Sequence, residues 1–260
     1  MNDPHLVKTG PTSRRVAAAG VLLLLALWQA LALWLGPMLV ATPLQTLAAL
    51  GPMLTTSVFW NDAGITLLRV ALGVGLGAGA GIALGLLAGF NPRLRGLLEP
   101  VRWLLMAIPP IVVVLLAMLW FGLGSTMVVF IAVLMLAPGI YVNVVKGVLA
   151  IDRQLLEMTH VLRYTRWQRL RHLYLPGLAA PLGAALLIAA CSGVRLVVMA
   201  EVLGSENGAG YALSNARSTF DSATLYAWVL TTVLLVAALE FALLQPLQRH
   251  LGRWKETGHA

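Results

Sequence analysis

"EMTHVLRYTRWQRLRHLYLP", residues 157–176, holds four arginines, two histidines, a tryptophan and two tyrosines in twenty positions. On either side, at about 126–146 and 177–200, lie apolar runs of the length that one helix needs to cross a hydrocarbon core of about 30 Å. So dense a set of charges belongs beside a bilayer, and the flanking runs belong inside it. Further out are four more such runs, at about 16–36, 64–89, 101–121 and 223–245. The composition agrees: 59% hydrophobic and 11% charged residues, with a mean hydropathy of +0.85, lie outside the range of soluble domains. The expected fold is therefore an all-α integral membrane protein of six transmembrane helices, with a cytoplasmic amphipathic helix between spans four and five. The first run follows Lys8, Arg14 and Arg15 as a signal peptide would, but it is too long for one and Leu39-Val40-Ala41 makes a poor cleavage site, so it reads as a retained anchor. The single cysteine, Cys191, sits in an apolar run and excludes an intrachain disulfide.

The cations set the orientation, because Lys and Arg collect in short cytoplasmic loops. Fifteen of the eighteen fall in the two tails, around 93–102 and in 146–171, whereas the loop 37–62 and the turn at 122–125 have none and Arg217 stands alone in the last outer loop. Both termini and the segment 147–176 are thus expected in the cytoplasm. The net charge of +8 is largely this bias, which argues against nucleic acid as a partner.

The second run, "LGVGLGAGAGIALGLLAG", repeats glycine every fourth residue at Gly73, Gly77, Gly81, Gly85 and Gly89. On a helix this makes a stripe without side chains, against which a neighbouring backbone can close. Either static packing or a sliding surface would use it. Pro109, Pro110 and Pro138 each remove a backbone donor inside a run, which a bilayer tolerates where protein or water re-satisfies the freed carbonyls.

Within 151–164, Ile151, Leu155, Met158, Thr159 and Leu162 share one side of a helix and Arg153, Glu157, His160 and Tyr164 the other, with Asp152 as N-cap and Pro176 opening the fifth span. A solvated loop, a helix lying on anionic lipid headgroups and a docking helix for a soluble partner all fit this pattern.

"LLEMTHVLRYTRWQRLRHLYLPGLAAP" resembles the EAA loop of the permease subunits of binding-protein-dependent ABC importers, in which E-A-A is followed by a glycine and then a Leu-Pro pair. Glu157 and Leu175-Pro176 match, and Arg166-Trp167-Gln168 resembles the sulfonate, taurine and nitrate branch. "IPPIVVVLLAMLWFGLG" and "MAEVLGSENGAGYAL" extend the likeness along most of the chain. The departures are Met158 and Thr159 for the alanines, and Arg163 for the glycine. An arginine in the left-handed conformation costs about 1–2 kcal/mol, so a straighter coupling helix or a shifted break is expected, suited to a particular ATPase or to one half of a heterodimer.

The resemblance implies a subunit that does no chemistry. Two permeases, copies or paralogues, form the pathway; two cytoplasmic ABC ATPases hold ATP and magnesium, so no cofactor is expected in this chain; a periplasmic or extracellular substrate-binding protein delivers the solute. The coupling residues it implies are Leu155, Glu157, Met158, Leu162, Arg163, Trp167, Leu175 and Pro176. The expected layout is a tail at 1–15, one permease domain at 16–248 and a tail at 249–260, in a bacterial inner membrane and in contact with its lipid. No G-x-x-x-x-G-K-[ST] occurs, and His5, His160, His172, His250 and His259 lack metal-ligand spacing.

Few ionisable groups fall in the runs: Arg69, Arg195, Glu201 and Glu240. Arg195 and Glu201, six apart, face different ways on one helix and are not expected to pair. Arg195 would snorkel, pair with another helix or attract an anionic solute. The outer segment 201–221 contains Gly204, Gly208 and Gly210; by resemblance Glu201, Gly208, Gly210 and Tyr211 shape the outer gate or the binding-protein footprint. The competing class, an ATP-independent secondary transporter or channel, would show inverted repeats, and none is evident.

Overall fold

A computed structural model describes residues 11–239, all of whose regular elements are helical. Glu240, the end of the sixth run and the carboxyl tail lie outside them, as do the side chains of Arg153, His160 and Arg166. The helices are α1 (Pro11–Leu35), α2 (Pro43–Leu54), α3 (Ser57–Phe90), α4 (Pro92–Ala107), α5 (Pro110–Phe121), α6 (Ser125–Leu149), α7 (Arg153–Val161), α8 (Arg166–Arg169), α9 (Leu175–Gly204), α10 (Ala209–Ser218) and α11 (Ser222–Leu239), with a π-helical turn, Leu170–Tyr174, leading into α9.

Local chemistry sets the boundaries. Thr42 and Gln45 close a capping box on α2, and Asn91 both ends α3 and caps α4, its side chain accepting from the N–H groups of Arg93 and Leu94 ahead of Pro92. Among the described residues, four helices are long and apolar enough to cross a membrane: the Ala18–Leu35 part of α1, α3, α6 and the helix through α9; α11 adds the apolar stretch Ser222–Ala238 up to the last described residues.

The run expected as a straight third span, 101–121, is broken: α4 and α5 meet at 99°. The cause is the tandem proline. A residue before proline is pushed out of the helical region, and here two successive residues obey, Ile108 at φ −71°, ψ 126° and Pro109 at φ −60°, ψ 136°. Pro138, a single proline, stays inside α6 without breaking it.

The centre is α3, α6 and α9. Val128, Ile131, Val144 and Val197 are fully enclosed there. The glycine stripe of α3 meets a stripe on α6 with the same spacing. A Cβ at Gly73 would stand 2.5 Å from that of Ala132, at Gly81 2.7 Å from the carbonyl oxygen of Ala137, at Gly85 2.7 Å from Val144 and at Gly89 2.9 Å from Val148, whereas Gly77 has 3.4 Å of room. Such proximity is available only without side chains. The outward faces of α1, α3 and α5 are lined with exposed Leu, Val and Trp, the surface that lipid rather than water would solvate.

Candidate functional site

Two regions gather the polar and exposed residues that the core cannot account for. The first lies where α3, α6 and α9 end together beside α10. Glu201, in the last turn of α9, is wholly buried, and its carboxylate accepts from Arg69 Nη1 at 2.6 Å, from Thr66 Oγ1 at 2.8 Å and from the Gly210 N–H at 2.9 Å. Thr66 in turn accepts from the Ala209 N–H, and Asp62 from the Gly208 N–H at 2.9 Å. Arg69 spends its remaining donors on Ser125 Oγ and on the carbonyl and side-chain oxygens of Asn207. A buried charge without such partners would cost several kcal/mol.

Asp62, Thr66 and Arg69 are spaced by four and three, which puts them on one face of α3 and in line with Gly73 and Gly77. The glycine stripe therefore continues toward the amino end of α3 as a polar stripe. That continuity was a usable sequence signal, although of this network only Glu201, Gly208 and Gly210 stood among the expected site residues, and Asp62, Thr66 and Arg69 did not. As expected, Glu201 does not pair with Arg195; its partner comes from a helix 132 residues away.

Gly208 has φ +100°, and a Cβ on it would stand 2.6 Å from Glu201 Oε1; one on Gly210 would stand 2.4 Å from the Val198 carbonyl oxygen. These glycines let the 205–210 segment lie on the carboxylate and donate to it. Tyr211 is part-exposed on a cavity of about 290 Å³ with Asp62, Phe59, Asn215 and Trp228. Arg195 is not in the network. It is exposed along a crevice of about 390 Å³ between α9 and α11, with Thr232 opposite and no hydrogen-bonding partner among the described residues.

The second region is the segment between α6 and α9. Asp152 caps α7 by accepting from the Gln154 N–H at 2.9 Å. The helix ends where the resembled loop has its glycine. Arg163 takes φ +52°, and the Tyr164 N–H reaches back to the Thr159 carbonyl at 3.0 Å, the 6→1 bond of a Schellman turn. The expectation of a straighter helix or a shifted break is thus corrected: the turn keeps its place and the arginine adopts the strained conformation. Thr165 and Gln168 then form a second capping box that starts α8, each side chain accepting from the other's backbone N–H. T-x-x-Q was legible in the sequence and had not been singled out.

Among the described side chains of α7 the buried one is Thr159, its hydroxyl donating to the Leu156 carbonyl. Leu155, Met158, Leu162 and Trp167 are 45%, 52%, 54% and 67% exposed, and Glu157 and Arg163 are exposed beside them. The apolar face expected from the sequence exists, and no described residue covers it. Leu175 is also exposed and Pro176 half-buried, at the first turn of α9.

Residues 81–255 match the model of the binding-protein-dependent transport system inner membrane component family. The chain belongs to that family. The matched stretch takes in the α7–α8 region and Glu201 but begins beyond Asp62, Thr66 and Arg69. The permease is 27% identical over 83% of its length to a Bacillus subtilis protein named "Putative aliphatic sulfonates transport permease protein SsuC", 78% of which is covered. It is 26% identical over 94% of its length to the taurine transport system permease protein TauC of Escherichia coli, 92% of which is covered. A chain of the inward-facing MetNI methionine ABC transporter shares the fold, with a TM-score of 0.63 over 73% of the permease and 93% of that chain at 20% identity. The permease is thus the membrane subunit of an ABC importer, a family whose transport is coupled to an ATPase.

Proposed function

We propose that the permease carries small organic anions of the sulfonate class inward across a bacterial cytoplasmic membrane, paired with a second permease, driven by two ATPases that hold ATP and magnesium, and fed by a binding protein outside. Both tails and residues 147–176 face the cytoplasm. The observation that carries the coupling is that Leu155, Met158 and Leu162 on one side of the segment, Glu157 on the other and Trp167 on α8 are all exposed. Exposed apolar side chains on a charged loop beyond the membrane are costly in water and favour a protein groove.

The anion preference draws on the names of the two relatives and on Arg195. That residue lies nine positions below the outer end of α9, and Thr232 ten below the outer end of α11, so both sit about 14–15 Å deep at 1.5 Å per residue. An exposed cation at such depth is expensive unless an anion or water meets it. The Glu201 network closes the outer end, where we place the gate; Tyr211 and the cavity beside it face the binding protein.

The test is Glu157→Lys. It should abolish co-purification of the ATPase and ATP-driven uptake while the permease still inserts at wild-type levels. Retained co-purification and uptake would leave the α7 face as a headgroup-binding surface.

A further inference from the structure

Where α4 crosses α3 and α6, two adjoining cavities share Arg102 and Tyr141. One, of about 230 Å³, is apolar and runs between Leu84 on α3, Val101 and Leu105 on α4, and Val133 and Pro138 on α6. The other, of about 280 Å³, is the more polar and adds Glu99 and Lys146 to Val142 and Val145. Lys146 is in the last turn of α6, and thirteen residues separate it from Val133, about 20 Å of helix. The pair therefore forms one crevice, polar at the end of the span and apolar for most of one leaflet's depth.

The charges around the polar end are unbalanced. Arg95, Arg102 and Lys146 stand against Glu99, which is already bound to Arg102, and Arg95 lies close enough for its charge to act on Tyr141. Arg95 Nη1 and Tyr141 Oη are enclosed and have no hydrogen-bonding partner among the described residues. Both can donate, which adds to the excess of donors over acceptors at this end. On α4 no described residue is buried, and Trp103, next to Arg102, is exposed.

We infer that this crevice is a binding site for an anionic phospholipid: the headgroup phosphate is held by Arg102 and Lys146, with Arg95 and Tyr141 behind them, and an acyl chain lies in the apolar part. Basic pockets between helices at a membrane surface recognise such headgroups. The leaflet, though not the chemistry, rests on the orientation proposed above.

The test is native mass spectrometry of the purified full-length permease in complex with its ATPase, delipidated and titrated with phosphatidylglycerol or phosphatidylcholine. The expected result is one saturable phosphatidylglycerol per permease, not displaced by glycerol phosphate, and bound about thirtyfold more weakly by Arg102→Gln/Lys146→Gln, at about 1 kcal/mol per cation. Lys146→Gln alone, at an exposed position, should weaken it about fivefold. A phosphatidylglycerol carrying a photoreactive acyl chain should label 80–84 and 133–138. Equal binding of phosphatidylcholine, an unchanged affinity in both variants, or cross-linking of these segments to a second permease instead of lipid would each overturn the site. Because binding is read without reference to sidedness, it can stand or fall independently of the topology.

Discussion

At the scale of single residues, the Arg69–Glu201 pair and Arg163 show opposite ways of holding an unfavourable group. Glu201 is tolerated because each oxygen has donors and because Arg69 is itself saturated by Ser125 and Asn207. Removing one partner of a buried pair leaves the other charge uncompensated, at about 3–5 kcal/mol, whereas removing both can be nearly neutral. Arg69→Met should therefore lower the thermal midpoint of the detergent-solubilised permease steeply, and Arg69→Met/Glu201→Gln should recover more than half of the loss. Equal midpoints for wild type and the single variant would mean that the pair adds nothing to stability. Arg163 instead carries about 1–2 kcal/mol of conformational strain at φ +52°. Arg163→Gly relieves it but adds freedom to the unfolded chain worth about 0.4–1 kcal/mol, so stability should change little. Arg163→Val, β-branched at positive φ, should lose more than about 1 kcal/mol. Limited proteolysis across 160–166 would rank the three, and a Val variant as resistant as wild type would contradict the strained turn.

Among elements, those specified by local chemistry were legible and those specified by a distant partner were not. Period-four glycines are visible in the chain, and the same period in Ala132, Leu136, Ile140, Val144 and Val148 on α6 completes the interface. Sequence spacing could not say which helix would face the stripe, so it left packing and sliding open. The bend between α4 and α5 was implicit in Pro109-Pro110, but hydropathy averages over a residue pair and reads 101–121 as one run. The outer network escaped for a related reason: Arg69 and Glu201 were each noticed, yet 132 residues separate them and nothing in the sequence pairs them. The interface predicts a graded response. Gly77→Ala finds 3.4 Å of room and should cost under about 1 kcal/mol, whereas Gly81→Ala would place its methyl 2.7 Å from a backbone carbonyl oxygen and 2.8 Å from the Ile140 Cβ, forcing α3 and α6 apart at about 1–3 kcal/mol. Thermal midpoints of the two variants compare them directly. Equal losses would show that the helices adjust freely, as a sliding surface would.

For the whole molecule, the cation distribution and the positions of the two candidate regions make one joint statement. The Glu201 network lies at the far end of α9 from α7 and α8, so a single assignment of sidedness fixes the outer gate and the coupling face together. If Lys and Arg bias holds, the 205–210 segment is outside and α7 inside. Glu206 is exposed between α9 and α10, and Gln154 is exposed on α7, its side chain without a hydrogen bond to a described residue. Thr46, in the stretch between the first two runs, is fully buried, its hydroxyl donating to the Thr42 carbonyl, and would report poorly. In a Cys191→Ser background, Glu206→Cys should react with a membrane-impermeant maleimide added to intact cells. Gln154→Cys should react only after the membrane is opened. Both variants leave the Arg69–Glu201 pair and the α3–α6 interface untouched, so expression and folding should match the background. The reverse labelling pattern would place α7 outside, out of reach of any cytoplasmic ATPase, and would overturn the coupling assignment and the gate with it. Labelling of both sites in intact cells would instead put α7 on the same side as the 205–210 segment, an arrangement that α9 as one unbroken span does not allow.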